Sequence, residues 1–215
     1  MSGDYVSKTL QAYNDSPEKY VESTAEMVLT PELETLAGLV PHSDKPLLDA
    51  GCAYGRDMDV LSSRFGLSVV GIDMSDELLQ RGQQLHPQFD FKKMDVRHLG
   101  FEDEAFSGVW CNAVLLHLND EDIREALAEF NRVLVAGGAI CISFEEGEGT
   151  EQLVEKFSSN GARFYNYKTL PATEEMLREA GFEVKQSYVL NERERFGADK
   201  RDLNWVYSFG VKVAQ

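Results

Sequence analysis

Basic residues are in short supply in this chain: 21 Lys and Arg stand against 37 Asp and Glu among 215 residues, a formal net charge of −16. That balance excludes a broad electropositive face for phosphate backbones, because non-specific nucleic-acid binding rests largely on lysine and arginine contacts. No apolar run approaches the roughly twenty residues needed to span a bilayer, and the opening Met1-Ser2-Gly3-Asp4 lacks a basic and hydrophobic leader. No nucleic-acid partner and no membrane partner are therefore expected, and the location expected is cytoplasmic. Cysteine is sparse too. Cys52, Cys111 and Cys141 include no Cys-x-x-Cys pair, so they read as reduced packing residues. The four histidines show no ligand-like spacing, which leaves no expected metal site. Internal repeats and low-complexity linkers are also missing.

What is present is a globular composition, 43% hydrophobic, at a length that suits one domain with a substantial core. The expected domain, 1–215, falls into a helical N-terminal lid over 1–43, a ligand-binding core over 44–145, and a stretch over 146–215 that carries a loop and a final hairpin. Tyr5, Leu10, Tyr13, Tyr20, Met27, Leu33 and Leu36 recur at helical spacing, interrupted by Pro17, Pro31 and Pro41, which predicts two or three short helices. From Pro46 strands and helices alternate, predicting a parallel sheet with right-handed crossovers and ligands beyond the carboxyl ends of its strands. Asn119 caps a helix through about Val133, with Gly137 ending it. Thr173 starts another that stops at Gly181, and Phe182–Leu190 and Asn204–Val213 form two final strands. The acidic, aromatic stretch from Phe144 to Tyr167 has low periodicity and reads as a loop over the site.

Leu47-Leu48-Asp49-Ala50-Gly51-Cys52-Ala53-Tyr54-Gly55-Arg56-Asp57 is the most informative segment. Two apolar residues suit a buried strand, Gly51, Ala53 and Gly55 let backbone amides approach a ligand, and Met58, Leu61, Ser62 and Phe65 fall on one helical face. A dinucleotide loop would need glycines where Ala53 and Arg56 stand, which disfavours NAD. A phosphate-binding P-loop would need Gly-Lys-Ser/Thr where Gly55-Arg56-Asp57 stands. Asp49 would repel a pyrophosphate but attract an ammonium and a sulfonium, so the electrostatics favour S-adenosylmethionine.

With these residues the sequence resembles the class I S-adenosylmethionine-dependent methyltransferases, whose first motif is acidic-x-Gly-x-Gly-x-Gly; Ala53 replaces the middle glycine. Three further landmarks follow in order. Val69-Val70-Gly71-Ile72-Asp73-Met74 ends a strand in an acid about twenty residues on. Phe89 to Val96 ends another in Asp95, and Phe106 to Ala113 is followed by Arg132-Val133-Leu134-Val135-Ala136-Gly137-Gly138. The resemblance, specific over about residues 46–145, implies a Rossmann-like, mostly parallel seven-stranded α/β sheet with a C-terminal antiparallel hairpin and helices on both faces. It implies that Asp73 takes the ribose hydroxyls, Met74 lies on adenine, and Asp95 and the Val96 amide recognise the base. Gly51, Ala53, Gly55, Asp49 and Asn112 complete the expected cofactor site, with Tyr20 closing over it. Arg56 either reaches the cofactor carboxylate or pairs with Asp57 or Asp59. Tyr13 is expected to pack.

The implied activity is methyl transfer to an O or N atom of a small-molecule acceptor. His117 is the candidate general base, since it titrates near neutrality and follows the fourth strand; the alternative is a histidine hydrogen-bonded to backbone. Arg163, Tyr165 and Tyr167 alternate onto one face and are expected to line an acceptor pocket for a small anionic or aromatic molecule. Asn112 lacks the following prolines of enzymes that methylate adenine or glutamine amides, and no cysteine follows a proline as a cytosine-C5 nucleophile would. A non-catalytic S-adenosylmethionine-binding regulator and a protein methyltransferase remain as rivals, and oligomeric state is open.

Overall fold

The structure is a computed structural model that describes residues 3–154 and 162–214. In chain order the described strands are β1 (Leu47–Ala50), β2 (Val69–Asp73), β3 (Asp90–Lys93), β4 (Phe106–Cys111), β5 (Leu134–Glu145), β6 (Thr150–Val154), β7 (Ala162–Asn166), β8 (Phe182–Asn191) and β9 (Asn204–Lys212). The helices are α1 (Gly3–Asn14), α2 (Pro17–Thr24), α3 (Thr30–Leu39), α4 (Arg56–Phe65), α5 (Asp76–Leu85), α6 (Asp120–Val133), α7 (Leu170–Glu179) and the short α8 (Glu192–Phe196).

Seven strands form one sheet in the order β3-β2-β1-β4-β5-β9-β8. The first five run parallel, while β9 is antiparallel to both β5 and β8, as the resemblance implies. Strand alternation explains why both faces are covered. Leu48, Val109 and Ile140 face the side where α6 and α7 bury Ile123, Phe130 and Leu177. Their neighbours Leu47, Trp110 and Cys141 face the side where α3 and α4 bury Leu33, Leu36, Met58 and Leu61. Each such fully buried side chain contributes about 1.5–3 kcal/mol. The three cysteines are free thiols packed in these layers. Between β1 and β4 the strand order reverses, so the segments that leave their carboxyl ends diverge and open a crevice.

Helix ends follow local chemistry. Asn119 Oδ1 accepts the N–H groups of Glu121 and Asp122, both at 2.9 Å, and Ser75 Oγ accepts that of Leu78 at 3.1 Å. Three expectations need correction. Helix α6 runs to Val133 as expected, but Gly137 does not end it, because Leu134 already pairs with Phe106 and starts β5. Helix α7 begins at Leu170, where Thr169 caps it and Pro171 suits the first turn, while Thr173 lies buried inside it with its hydroxyl on the Thr169 carbonyl, 3.0 Å away. The expected loop after Phe144 contains a second two-stranded sheet, β6 against β7; residues 155–161 of that stretch lie outside the described residues. No helix among the described residues is long and apolar enough to cross a membrane.

Candidate active site

The turn after β1 is tied to β2 by backbone: the N–H groups of Gly51 and Cys52 both donate to the Ile72 carbonyl, at 2.8 and 2.9 Å. Gly51 has φ +85°, and a Cβ there would stand 2.1 Å from a Val114 methyl, so only glycine fits. Ala53, at φ +49°, holds the left-handed region without being glycine. Its N–H donates to Asp73 Oδ2 at 3.0 Å, while Asp73 Oδ1 accepts the Ser75 N–H at 2.8 Å. Asp73 thus joins the two loops. Burial raises its pKa against the lowering effect of these amides.

Gly55 departs from the expected role. Its own N–H is bonded to the Cys52 carbonyl at 2.8 Å, and a Cβ there would stand 2.7 Å from the Phe91 ring. It serves close packing of α4 against β3 and α5, and it lines neither cavity described below.

Two cavities adjoin at the carboxyl ends of the strands. The smaller, about 120 Å³, is lined by Asp73, Met74, Leu78, Met94, Asp95 and Val96. The larger, about 320 Å³, is walled by Asp49, Asp57, Trp110, Arg163, Tyr165 and Glu145. Tyr13, Tyr20, Gly51, Ala53, Asn112 and His117 border both and form the neck between them. Asp95 is clasped by Arg97 through Nε and Nη2, which in turn reaches Asp122 at 3.1 Å. Burial opposes ionisation of Asp95, but the guanidinium and the Arg97 N–H outweigh it and lower its pKa.

In the larger cavity Asp49 is 3% exposed, and no hydrogen-bond donor among the described residues reaches its carboxylate. Burial, and then the Asp57 charge, hold its pKa well above the usual carboxylate range. Arg56 follows the second of its two readings, with Asp57 rather than Asp59 as partner. Its Nε and Nη2 grip the Asp57 carboxylate at 2.7 and 3.0 Å, and its Nη1 donates to the Thr24 carbonyl at 3.0 Å, which ties α2 to the loop. Trp110 Nε1 donates to Asp57 at 2.9 Å. Asn112 Oδ1 accepts the hydroxyls of Ser143 and Tyr207, at 2.8 and 3.3 Å.

His117 sits in a single 3₁₀ turn after β4. Its Nδ1 donates to the Phe164 carbonyl at 2.7 Å, which leaves Nε2 to accept the Tyr13 hydroxyl at 2.9 Å. The backbone bond weighed as an alternative is therefore present, and it fixes the tautomer that frees the other nitrogen. Burial lowers the His117 pKa to about 4, so the ring is neutral. The Arg163 guanidinium lies 4.1 Å above the Tyr13 ring. Tyr13 packs against Ala53, Tyr54 and Leu78 as expected, and it also borders both cavities. Tyr5, Thr9 and Tyr13, each four residues apart, could have signalled a polar helix face: Tyr5 donates to Asp122, Thr9 Oγ1 accepts the Phe164 N–H at 3.0 Å, and Tyr13 meets His117.

Arg163 and Tyr165 line the larger cavity, but Tyr167 does not. It stacks on Tyr165 with centroids 6.0 Å apart, and its hydroxyl goes to Glu151 of β6. The far wall is one the sequence pattern did not signal. Buried Glu145 and Glu192 hold Arg201 at 3.1 and 3.0 Å, and Trp205 Nε1 donates to Glu192 at 3.0 Å.

A family model described as a methyltransferase domain matches residues 47–138. The methyltransferase GfsG of Streptomyces halstedii is 29% identical over 103 residues, 45% of this chain and 36% of that protein. Phosphoethanolamine N-methyltransferase 1 of Arabidopsis thaliana is 26% identical over 164 residues, 74% of this chain and 33% of that one. The chain spans about a third to a half of the length of such curated relatives. Among solved structures, the 1,6-didemethyltoxoflavin-N1-methyltransferase of Burkholderia thailandensis, with bound 1,6-didemethyltoxoflavin and S-adenosylhomocysteine, superposes with a TM-score of 0.74 at 22% identity, covering 100% of this chain and 91% of that one. A Methanosarcina mazei protein described as a SAM-dependent methyltransferase gives 0.70 at 20% identity, covering 82% and 96%.

Proposed function

We propose that this chain, whose residues 47–138 match a methyltransferase-domain family model, is a class I S-adenosylmethionine-dependent methyltransferase that transfers a methyl group from S-adenosylmethionine to an oxygen or nitrogen atom of a small-molecule acceptor. The observation that carries this reading is the neck at Tyr13, Gly51, Ala53, Asn112 and His117, which joins a cleft lined by Asp73 and Asp95 to a second chamber. A chamber of about 320 Å³ suits a metabolite.

The residues fit the cofactor. Each Asp73 oxygen takes one backbone N–H and keeps a second acceptor position for a ribose hydroxyl. Met74 and Val96 would flank the adenine, with Asp95, held by Arg97, at its edge. Asp49, a buried carboxylate that no donor among the described residues reaches, would be matched by the ammonium of the methionine moiety. Gly51, Ala53, Asn112 and Tyr20, which border both cavities, would line the path of that moiety. S-adenosylmethionine, when bound, supplies a methyl group activated on a sulfonium. The protein then has to orient the acceptor, exclude water and take any proton it carries. Tyr13 and His117 do the last of these: the Tyr13 hydroxyl passes its proton to His117 Nε2 as it takes one from the acceptor.

Calorimetry with S-adenosylmethionine and S-adenosylhomocysteine tests the binding half of this reading, and transfer of labelled methyl to a metabolite extract tests the chemistry. A protein that binds neither nucleoside refutes it. Binding without transfer to any fraction would favour a regulator.

A further inference from the structure

Asp95, on the wall of the smaller cavity, is held by a chain of contacts that begins in the N-terminal helix. Its Oδ1 accepts the Arg97 N–H at 3.0 Å, Arg97 Nε is shared between Oδ1 at 3.0 Å and Oδ2 at 3.2 Å, and Nη2 reaches Oδ2 at 2.6 Å. A carboxylate offers about four acceptor positions, so these three donors leave one for a ligand. The same guanidinium serves a second acid. Its Nη1 lies 3.1 Å from Asp122 Oδ2, in the first turn of α6. One cation is thus divided between two carboxylates, and whatever else reaches Asp122 decides how firmly Asp95 is held. Asp122 is buried, and its Oδ2 also takes Asn119 Nδ2 at 3.2 Å and the hydroxyl of Tyr5 from α1. Burial, and then that bond to Asp122, raise the Tyr5 pKa to about 12, so the hydroxyl stays a donor. The Phe164 ring of β7 braces the Tyr5 ring at 4.6 Å. Without the hydroxyl, buried Asp122 would lack one of its donors and would draw the guanidinium away from Asp95.

From this geometry we propose that Tyr5 and Asp122 are positioning residues for the nucleobase: through Arg97 they hold the Asp95 carboxylate for the exocyclic amine of adenine, so that base selection depends on the docking of α1. This rests on the reading above, in which Asp95 stands at the adenine edge, and deepens it. The other end of α1 supplies a contrast. Ser75 Oγ donates to Asn14 Oδ1 at 2.6 Å, next to the Ser75 N–H that binds Asp73. Between the two ends Val6, Thr9 and Leu10 line the smaller cavity. The helix is therefore fastened on both sides of the cleft, and its first turn is the end that leads to Asp95.

The test compares, by calorimetry on the full chain, S-adenosylhomocysteine with S-inosylhomocysteine. In the second ligand an oxygen replaces the amine, and a donor replaces the acceptor at the neighbouring ring nitrogen. A site that holds a charged carboxylate for an amine rejects that exchange, so the unaltered protein should prefer adenine by at least about tenfold. Arg97→Gln should remove most of the preference. Tyr5→Phe, which keeps the ring on Phe164, should reduce it by at least about threefold, and in the Arg97→Gln background it should reduce it no further. Asn14→Ala loosens the opposite end of α1 and should lower both affinities together, with the preference kept within about twofold. This separates a relay to Asp95 from general loosening of the helix. A parental preference in Tyr5→Phe, or the same further loss with and without Arg97, would overturn the proposal. An unaltered protein that binds neither nucleoside, or binds both alike, would instead strike the placing of adenine on Asp95.

Discussion

The two cavities are built by different means. Around the smaller one the key contacts are short in sequence and made by backbone: Ala53 and Ser75 amides on Asp73, Gly51 and Cys52 amides on Ile72. Around the larger one they are side-chain contacts between distant segments. Tyr13 meets His117 from 104 residues away, Thr9 meets Phe164 from 155, and Arg201 meets Glu145 from 56. A nucleoside cleft can be made by strand ends that any sheet of this topology presents, whereas the chamber exists only when α1, the β6–β7 sheet and the C-terminal hairpin have all docked. Cofactor affinity should therefore survive damage to the chamber. Catalysis should not.

The largest separation is expected from Tyr13→Phe. The ring, its edge contact with Tyr20 and the Arg163 stack are kept, and only the hydroxyl on His117 is lost. For an acceptor that must lose a proton, turnover should fall by roughly 10²-fold or more, while calorimetry should give S-adenosylhomocysteine affinity within about threefold of the parent. Equal losses in both would erase the distinction between the two cavities.

His117 offers a second contrast, read in stability. Its pKa falls from the ordinary 6.5 to about 4 through burial, so the folded state binds this proton less well than the unfolded chain. The stabilisation is fully present above about pH 6.5 and drains away as pH falls toward about 4, amounting to no more than about 3 kcal/mol. Tyr13, Arg163 and Tyr165 face the ring, and no carboxylate among them offsets the charging. Denaturant melts of His117→Gln should lose less stability than the parent between pH 6.5 and pH 4.5. Parallel curves would mean that the imidazole is open to water.

The same division governs what could be read from sequence. Gly51 and Ala53 follow β1, and Asp73 and Met74 stand at the end of β2, strands whose apolar runs are plain in the sequence; Asp95 and Val96 follow β3, Asp-Phe-Lys-Lys with only Phe91 buried, and are legible from the order of the landmarks rather than from an apolar run. Gly55 was read correctly as special but for the wrong reason, since the partner that demands a missing side chain, Phe91, lies 36 residues on. Glu145, Glu192 and Arg201 leave no signal, because an ion pair across 56 residues has no periodicity; the spacing of Tyr5, Thr9 and Tyr13 marks a polar helix face but not the histidine that Tyr13 meets. The β6–β7 sheet was missed because alternation in Arg163, Tyr165 and Tyr167 had no partner strand of comparable pattern.

On the other side of the comparison, Asp73→Ala should weaken S-adenosylhomocysteine binding by about 1–3 kcal/mol. It removes the proposed ribose acceptor and also orphans the Ala53 and Ser75 amides that the carboxylate now satisfies. Asp73→Asn helps to separate these effects, because the amide oxygen can still accept one of the two N–H bonds. Unchanged affinity in both variants would sever Asp73 from the cofactor.

The smallest effect concerns Ala53. At φ +49° it bears the left-handed strain, on the order of 1 kcal/mol, that a glycine would relieve. Its methyl is buried with Tyr54 and Leu78, where Tyr13, Tyr20 and Val21 of the N-terminal helices also pack, and glycine would forfeit that contact and gain entropy in the unfolded chain. These terms oppose one another, so Ala53→Gly should shift the unfolding free energy by less than about 1 kcal/mol in either direction. Affinity for S-adenosylhomocysteine should be preserved or improved, since the amide on Asp73 stays and the methyl at the neck goes. A marked loss of affinity at unchanged stability would show that the methyl itself shapes the neck, and that the N-terminal helices, by packing on Ala53, contribute to cofactor binding as well as to the chamber.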